Sequence, residues 1–158
     1  MRRLLTKTDI GAIIDAEQLT EDTDLARLIA EIDHSRYLSF SSYLESETGL
    51  ALLRAIARFP RLTRLNLEYC QIGAKGAIAL ASASLPQAAK LRSLTLSFCK
   101  IGDRGLITLA PLWRNMPELD SLELAHNDIS NQGALSLFNL SPLRSLNLSS
   151  NQLTSPLF

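Results

Sequence analysis

Apolar side chains recur in a fixed register over the second half of the chain. Leu62-x-x-Leu65-x-Leu67-x-x-Cys70-x-Ile72 is followed by Leu91-x-x-Leu94-x-Leu96-x-x-Cys99-x-Ile101. Leu119-x-x-Leu122-x-Leu124-x-x-Asn127-x-Ile129 and Leu143-x-x-Leu146-x-Leu148-x-x-Asn151-x-Leu153 complete the series, with starts 29, 28 and 24 residues apart. Leu65 and Leu67 alternate with Arg64, Asn66 and Glu68, the period-two pattern of a short strand with one buried face. Gly76, Gly105 and Gly133 each follow the second strand leucine by nine residues and open helical stretches. Pro60, Pro86, Pro117 and Pro142 stand where those stretches must stop. Counting back nine from Gly49 recovers a degenerate copy beginning at Ser35, with Leu38, Phe40, and Tyr43 in the Cys/Asn position. Five repeats are therefore expected, starting near 35, 62, 91, 119 and 143, the last without its second half. One strand-plus-helix unit cannot bury its own leucines, whereas stacked units share a continuous core.

The two ends read differently. Residues 1–34 lack the pattern and are expected to form a helical N-terminal cap on a solenoid spanning 35–158. Leu25, Leu28, Ile29 and Ile32 lie on one helical face, with Thr20 or Thr23 as its cap. Ile10, Ile13 and Ile14 suggest a shorter helix, capped by Thr8 or Asp9. A separate acidic docking helix is the alternative to a cap. At the other end nothing amphipathic follows Asn151. That fits a chain cut from a longer protein, a minimal cap made by Leu153, Leu157 and Phe158, or self-association through the uncovered edge.

The repeated motifs resemble those of the leucine-rich repeat family. The unit length of 28–29 residues and the Cys/Asn turn before a Gly-led helix are similar to its ribonuclease-inhibitor-like subclass. That subclass occurs in NOD-like receptors, Ran GTPase-activating proteins, tropomodulins and some effectors of intracellular bacteria. The resemblance implies an α/β fold: a right-handed solenoid, or horseshoe, with a parallel sheet on the concave side and helices on the convex side. It says little about partner, since such repeats bind many unrelated proteins.

Composition narrows the function classes. The 158 residues carry 16 basic and 16 acidic side chains, and a zero balance weighs against a dedicated nucleic-acid binder. The balance is uneven, because residues 1–34 hold four basic and eight acidic groups. No apolar run approaches the roughly 20 residues of a membrane span. The opening Met1-Arg2-Arg3-Leu4-Leu5 does not continue into the apolar stretch of a secretory signal. Two cysteines, Cys70 and Cys99, are too few for a disulfide-stapled scaffold. Buried free thiols in a reduced, cytoplasmic setting are expected, or in a host cytosol for a translocated effector. The sequons at Asn139 and Asn147 are read as accidents of composition.

Candidate chemistry is sparse. His126 has Ser97, Glu123 and Asp128 nearby in sequence pattern, but serine is abundant and no Gly-x-Ser-x-Gly elbow exists. Cys70, Cys99 and His126 lack a fourth metal ligand and should face opposite ways. The glycines at 73 and 102 serve turns, and no Gly-Lys-Ser/Thr follows them. No enzyme activity, cofactor or metal is expected. The outward strand positions offer a protein-binding face instead: Tyr37, Arg64, Asn66, Glu68, Tyr69, Thr95, Phe98, Glu123, His126 and Asn147. Tyr69, Phe98 and His126 occupy equivalent places and should stack as a column at the strand spacing of about 4.8 Å. Such a column is either a binding hot spot or simply packs on itself. Arg54, Arg58 and Arg61 form a basic helical run, a solvated face or a site that the acidic N-terminus claims. The expected function is a non-enzymatic protein-interaction module using the concave face and adjacent turns, with bacterial effector origin a weaker reading. Alternatives are a GTPase-activating or inhibitory regulator, or a structural fragment of a longer repeat protein. Five strands of about 15 Å give a face of several hundred Å². A standard interface buries about 800 Å² per partner, so turns or cap must add to it.

Overall fold

The computed structural model describes residues 4–7, 11–41, 43–56, 59–82, 88–140 and 142–154. Alternation of Leu with polar residues produces short strands: β1 (Leu5–Lys7), β2 (Gly11–Asp15), β3 (Tyr37–Ser41), β4 (Arg64–Asn66), β5 (Ser93–Thr95), β6 (Ser121–Glu123) and β7 (Ser145–Asn147). Helices α1 (Leu25–Ile32), α2 (Glu47–Ile56), α3 (Gly73–Ser82), α4 (Gly102–Leu109) and α5 (Asn131–Ala134) fall between strands from β2 to β7. One sheet runs in the order β1 to β7, parallel throughout except for the antiparallel β1–β2 pair. A parallel sheet with every crossover made by a helix must bury one face of each strand under the helix layer. Leu38, Leu65, Leu94 and Leu122 meet in register, each at most 5% exposed, against Leu52, Leu53, Ile56, Ala77, Leu106 and Leu109 from the helices. An apolar cavity of about 30 Å³ remains between Leu65, Leu80, Leu94 and Trp113. That is room for little more than one water, and its lining is almost wholly apolar, with the Trp113 indole on its wall keeping a buried Nε1 without a hydrogen-bond partner.

The N-terminal segment departs from expectation. Residues 11–15 form a strand, not the helix suggested by Ile10, Ile13 and Ile14; Ile10 and its expected caps Thr8 and Asp9 lie outside the described residues. Ala12 and Ile14 are buried beside Leu38 and Phe40, while Ile13 is 41% exposed. A short apolar run satisfies both periodicities, and pairing with β3 decides between them. Among the described residues the sheet therefore holds six parallel strands, one more than the five units expected, and β1 lies on its outer edge. α1 follows the expected face, but Asp24 caps it, accepting from Arg27 N at 3.1 Å, rather than Thr20 or Thr23. Thr23 instead accepts from Thr20 N, and Thr48 donates to Thr20 O at 3.0 Å, which ties this loop to α2.

Two further corrections concern the turns. Tyr43 does not occupy the Cys/Asn position: it is 57% exposed, whereas Leu44 beside it is fully buried, its N donating to Cys70 O as Gly73 N does to Cys99 O. Helices α3 and α4 begin three residues earlier than the Gly76 and Gly105 starts, at Gly73 and Gly102, whose φ of 59° and 57° is left-handed. Gly105 instead permits helix contact, since a Cβ there would lie 3.2 Å from Ala77 Cβ and 3.0 Å from Ile101 Cβ.

The Cys/Asn position links neighbouring units. Asn127, wholly buried, accepts from Cys99 N at 3.0 Å and Ile101 N at 3.4 Å, and donates to Leu96 O, Leu124 O and Ala125 O. Asn151 repeats this one unit later, accepting from Asn127 N and Ile129 N at 3.0 Å. Cys99 stands in the same place with a weaker group, its Sγ donating to Leu67 O at 2.9 Å. Each side chain satisfies turn backbone that burial would otherwise orphan.

Candidate interaction face

Backbone bonding carries the parallel ladder past the strands into the turns. Tyr69 N donates to Ser97 O, Phe98 N to Ala125 O and His126 N to Ser149 O, at 3.0 to 3.1 Å. Each of the three residues adopts a left-handed φ, 62°, 57° and 54°, which turns the chain sharply at the same point in successive units. An identical backbone angle on a regular ladder throws the side chains into one file. The Tyr69 and Phe98 rings stack with centroids 4.4 Å apart, and Phe98 and His126 at 4.1 Å, with planes within 19° and 13° of parallel. The expected column is therefore present as geometry. Tyr69 and His126 are exposed and Phe98 is half-buried, so the column is open at both ends and partly covered in the middle.

The other candidate residues share the open face of the sheet in two rows. Arg64 pairs in register with Tyr37, Ser93, Ser121 and Ser145 along one row. Asn66, Thr95, Glu123 and Asn147 align along the next. Arg64 is exposed; Tyr37, Asn66, Glu68, Thr95, Glu123 and Asn147 are half-buried. Asn66 and Asn147 are partly engaged at home, since their Oδ1 atoms accept from Glu68 N at 2.9 Å and Ser149 N at 3.0 Å. Only their amide NH₂ groups face outward duty. Ser97 and Ala125, also in outward register, are small and buried.

Cys70 and Cys99 are free and buried among carbonyls of adjacent units. Burial raises both thiols, Cys99 up to about 12, so neither is a thiolate near neutral pH. No cluster of metal-ligating side chains occurs among the described residues. Nor is any helix there long and apolar enough to cross a membrane. The acidic N-terminal segment uses its own cations, Lys7 and Arg27 both reaching Glu31. It does not claim Arg54 or Arg61, which are exposed; Arg58 lies outside the described residues, as do Leu157 and Phe158.

Three surface features escaped the sequence. An exposed aliphatic row, Ile78, Ile107 and Leu135, crosses the helix layer two residues after each repeat glycine. The repeat register holds that signal, since the three residues keep one spacing from the glycine of their unit. At the last strand Leu146 is 39% exposed where Leu122 is fully buried. A groove at the strand-entry edge gathers charges from the residues just before each strand, positions with no repeated identity.

A family model for the leucine-rich repeat matches residues 61–81, 87–110, 117–138 and 139–156, together more than half of the chain. Those stretches contain β4 to β7, α4, α5 and all of α3 except Ser82. Among solved structures, one titled "Leiomodin-1 Actin-Binding Site 2 (ABS2)" is similar, with a TM-score of 0.59 and 14% identity over 84% of this chain and 78% of that one. At that identity the likeness is one of fold. No curated protein matches the sequence. With the family model matching more than half of its length, the chain belongs to the leucine-rich repeat family.

Proposed function

We propose that this protein is a non-enzymatic interaction module that binds a partner protein through the open sheet face and the turns beside it. The observation that carries this reading is the Tyr69–Phe98–His126 column, an aromatic file held by the backbone and left exposed at both ends. Aromatic side chains with fixed rotamers lose little entropy on binding and dominate interface energetics. Arg64, Glu68, Thr95 and Glu123 supply polar contacts beside them, and Tyr37, Asn66 and Asn147 extend the face. The solved structure noted above is named as an actin-binding site, a protein-binding use of the same fold, without nominating actin here.

The finer classification belongs to the same proposal. Unit lengths and a helix after each strand favour the ribonuclease-inhibitor-like subclass, with the sheet concave, in a horseshoe running from 35 to 158. Residues 1–34 then cover the first repeat's edge by strand pairing as well as by a helix. A cytoplasmic setting suits two unbridged buried thiols. Bacterial effector origin rests on no structural observation.

The test is affinity capture with the intact chain and with a Tyr69→Ala/Phe98→Ala variant of unchanged circular dichroism. A specific partner retained by the first and lost by the second supports the reading; equal retention removes the column from it. A second reading, self-association through the last repeat, is favoured by the exposure of Leu146 at the β7 edge. Sedimentation that shows a concentration-dependent dimer, abolished by Leu146→Lys, would support it.

A further inference from the structure

A groove of about 810 Å³ runs along the strand-entry edge of the sheet, at the end opposite the aromatic column, and no apolar side chain lines it. Four cations, Arg36, Arg64, Lys90 and Arg92, face two carboxylates, Glu118 and Asp120, in a chain whose total charge is zero. Arg92 is held: its Nε and Nη2 both donate to Glu118 Oε2 at 3.0 Å. Arg36, Arg64 and Lys90 are exposed and form no ion pair among the described residues.

Backbone along this edge has little left to offer a ligand. Arg36 O accepts from Thr63 N, Arg64 N and Thr63 Oγ1, and Thr63 O accepts from Arg92 N and Ser93 N. Recognition here must come from side chains, and the unpaired ones are positive. The charges are also ordered, with free cations over β3 to β5 and carboxylates toward β6. A uniformly charged polyanion would set some of its phosphates against Glu118 and Asp120, which disfavours nucleic acid.

From this we propose that the groove receives an acidic, extended segment of the partner protein. Its carboxylates lie over Arg36, Arg64 and Lys90, and its non-acidic end lies over Asp120. The proposal rests on the interaction-module reading and specifies the partner's chemistry at one end of the same face. Exposed ion pairs are weak individually and screened within about 8–10 Å at ordinary ionic strength. Binding through this groove alone is therefore weak and salt-sensitive, and acts together with the aromatic column.

The test is a titration of the ¹⁵N-labelled chain with an N-acetylated decapeptide of alternating Glu and Ser. Shifts centred on the amides of Arg36, Thr63, Arg64, Arg92 and Ser93 are expected, fading between 50 and about 300 mM salt. An Arg36→Ala/Arg64→Ala/Lys90→Ala variant should bind at least about ten-fold more weakly, the loss of roughly 1.4 kcal/mol. An Arg54→Ala/Arg61→Ala variant should bind as the parent does. No shift at millimolar peptide, shifts elsewhere, equal loss in the control variant, or tighter binding of a decathymidylate would each overturn the proposal. The Tyr69→Ala/Phe98→Ala chain keeps the groove intact and should still bind the peptide. Failure of the groove and failure of the aromatic column are thereby read separately.

Discussion

Replacing Asn127 by Ala probes the link that holds one unit to the next. The side chain makes five hydrogen bonds while wholly buried. Two of its acceptors have other donors: Leu124 O also receives Asn151 Nδ2, and Ala125 O receives Phe98 N. Cys99 N, Ile101 N and Leu96 O are left with nothing. Each orphaned buried group costs about 1–3 kcal/mol, so a loss of about 3–9 kcal/mol is expected for the three together. Asn127→Cys should cost clearly less, because Cys99 occupies the same position one unit earlier with its Sγ on Leu67 O. Urea unfolding followed by circular dichroism at 25 °C, comparing midpoints at matched slopes, measures both. A loss under about 1 kcal/mol for Ala, or equal losses for Ala and Cys, would refute the bridging role of this position.

Other perturbations test separate parts of the fold. Burial keeps Cys70 and Cys99 protonated above the ordinary value of 9.0, so the folded chain binds more protons than the unfolded one from about pH 9 toward 12. Stability should fall across that window and be flat in this respect below it, with the slope reduced in Cys70→Ala/Cys99→Ala as read by urea midpoints from pH 7.5 to 10.5. Gly105→Ala adds a Cβ 3.0 Å from Ile101 Cβ and 3.2 Å from Ala77 Cβ in packed surroundings. The crowding, about 1–3 kcal/mol, should exceed the helix-propensity gain of about 1, and a raised melting temperature would contradict it. Phe98→Gly should be about 1 kcal/mol more stable than Phe98→Ala, because φ at this residue is 57° and only glycine adopts it without strain. Thermal melts with the order reversed would deny that the backbone, rather than ring stacking, sets the column.

The strand register was legible because one residue type, Leu, recurs at fixed spacing and burial demands it at every turn of the repeat. The same regularity made the aromatic column readable: Tyr69, Phe98 and His126 differ in type but share a position. What escaped was whatever the repeat does not encode. Ala12 and Ile14 fill leucine sites with residues too small or too few to register as a repeat, so the pattern around β2 fits a helix as well as a strand. Counting back from Gly49 puts Tyr43 at the Cys/Asn position, yet it is Leu44 beside it that the fold buries. The charged groove draws on residues that differ from unit to unit, so only their spatial meeting identifies it.

The claim beneath all of this is that successive units stack as an in-register parallel sheet. Nuclear Overhauser spectroscopy on the labelled chain tests it most directly, through cross-strand contacts at Leu65–Leu94–Leu122–Leu146 and ring contacts along Tyr69–Phe98–His126. Both unbroken series are predicted. Contacts of Leu94 with antiparallel neighbours, or rings of Phe98 and His126 without mutual contact, would contradict it.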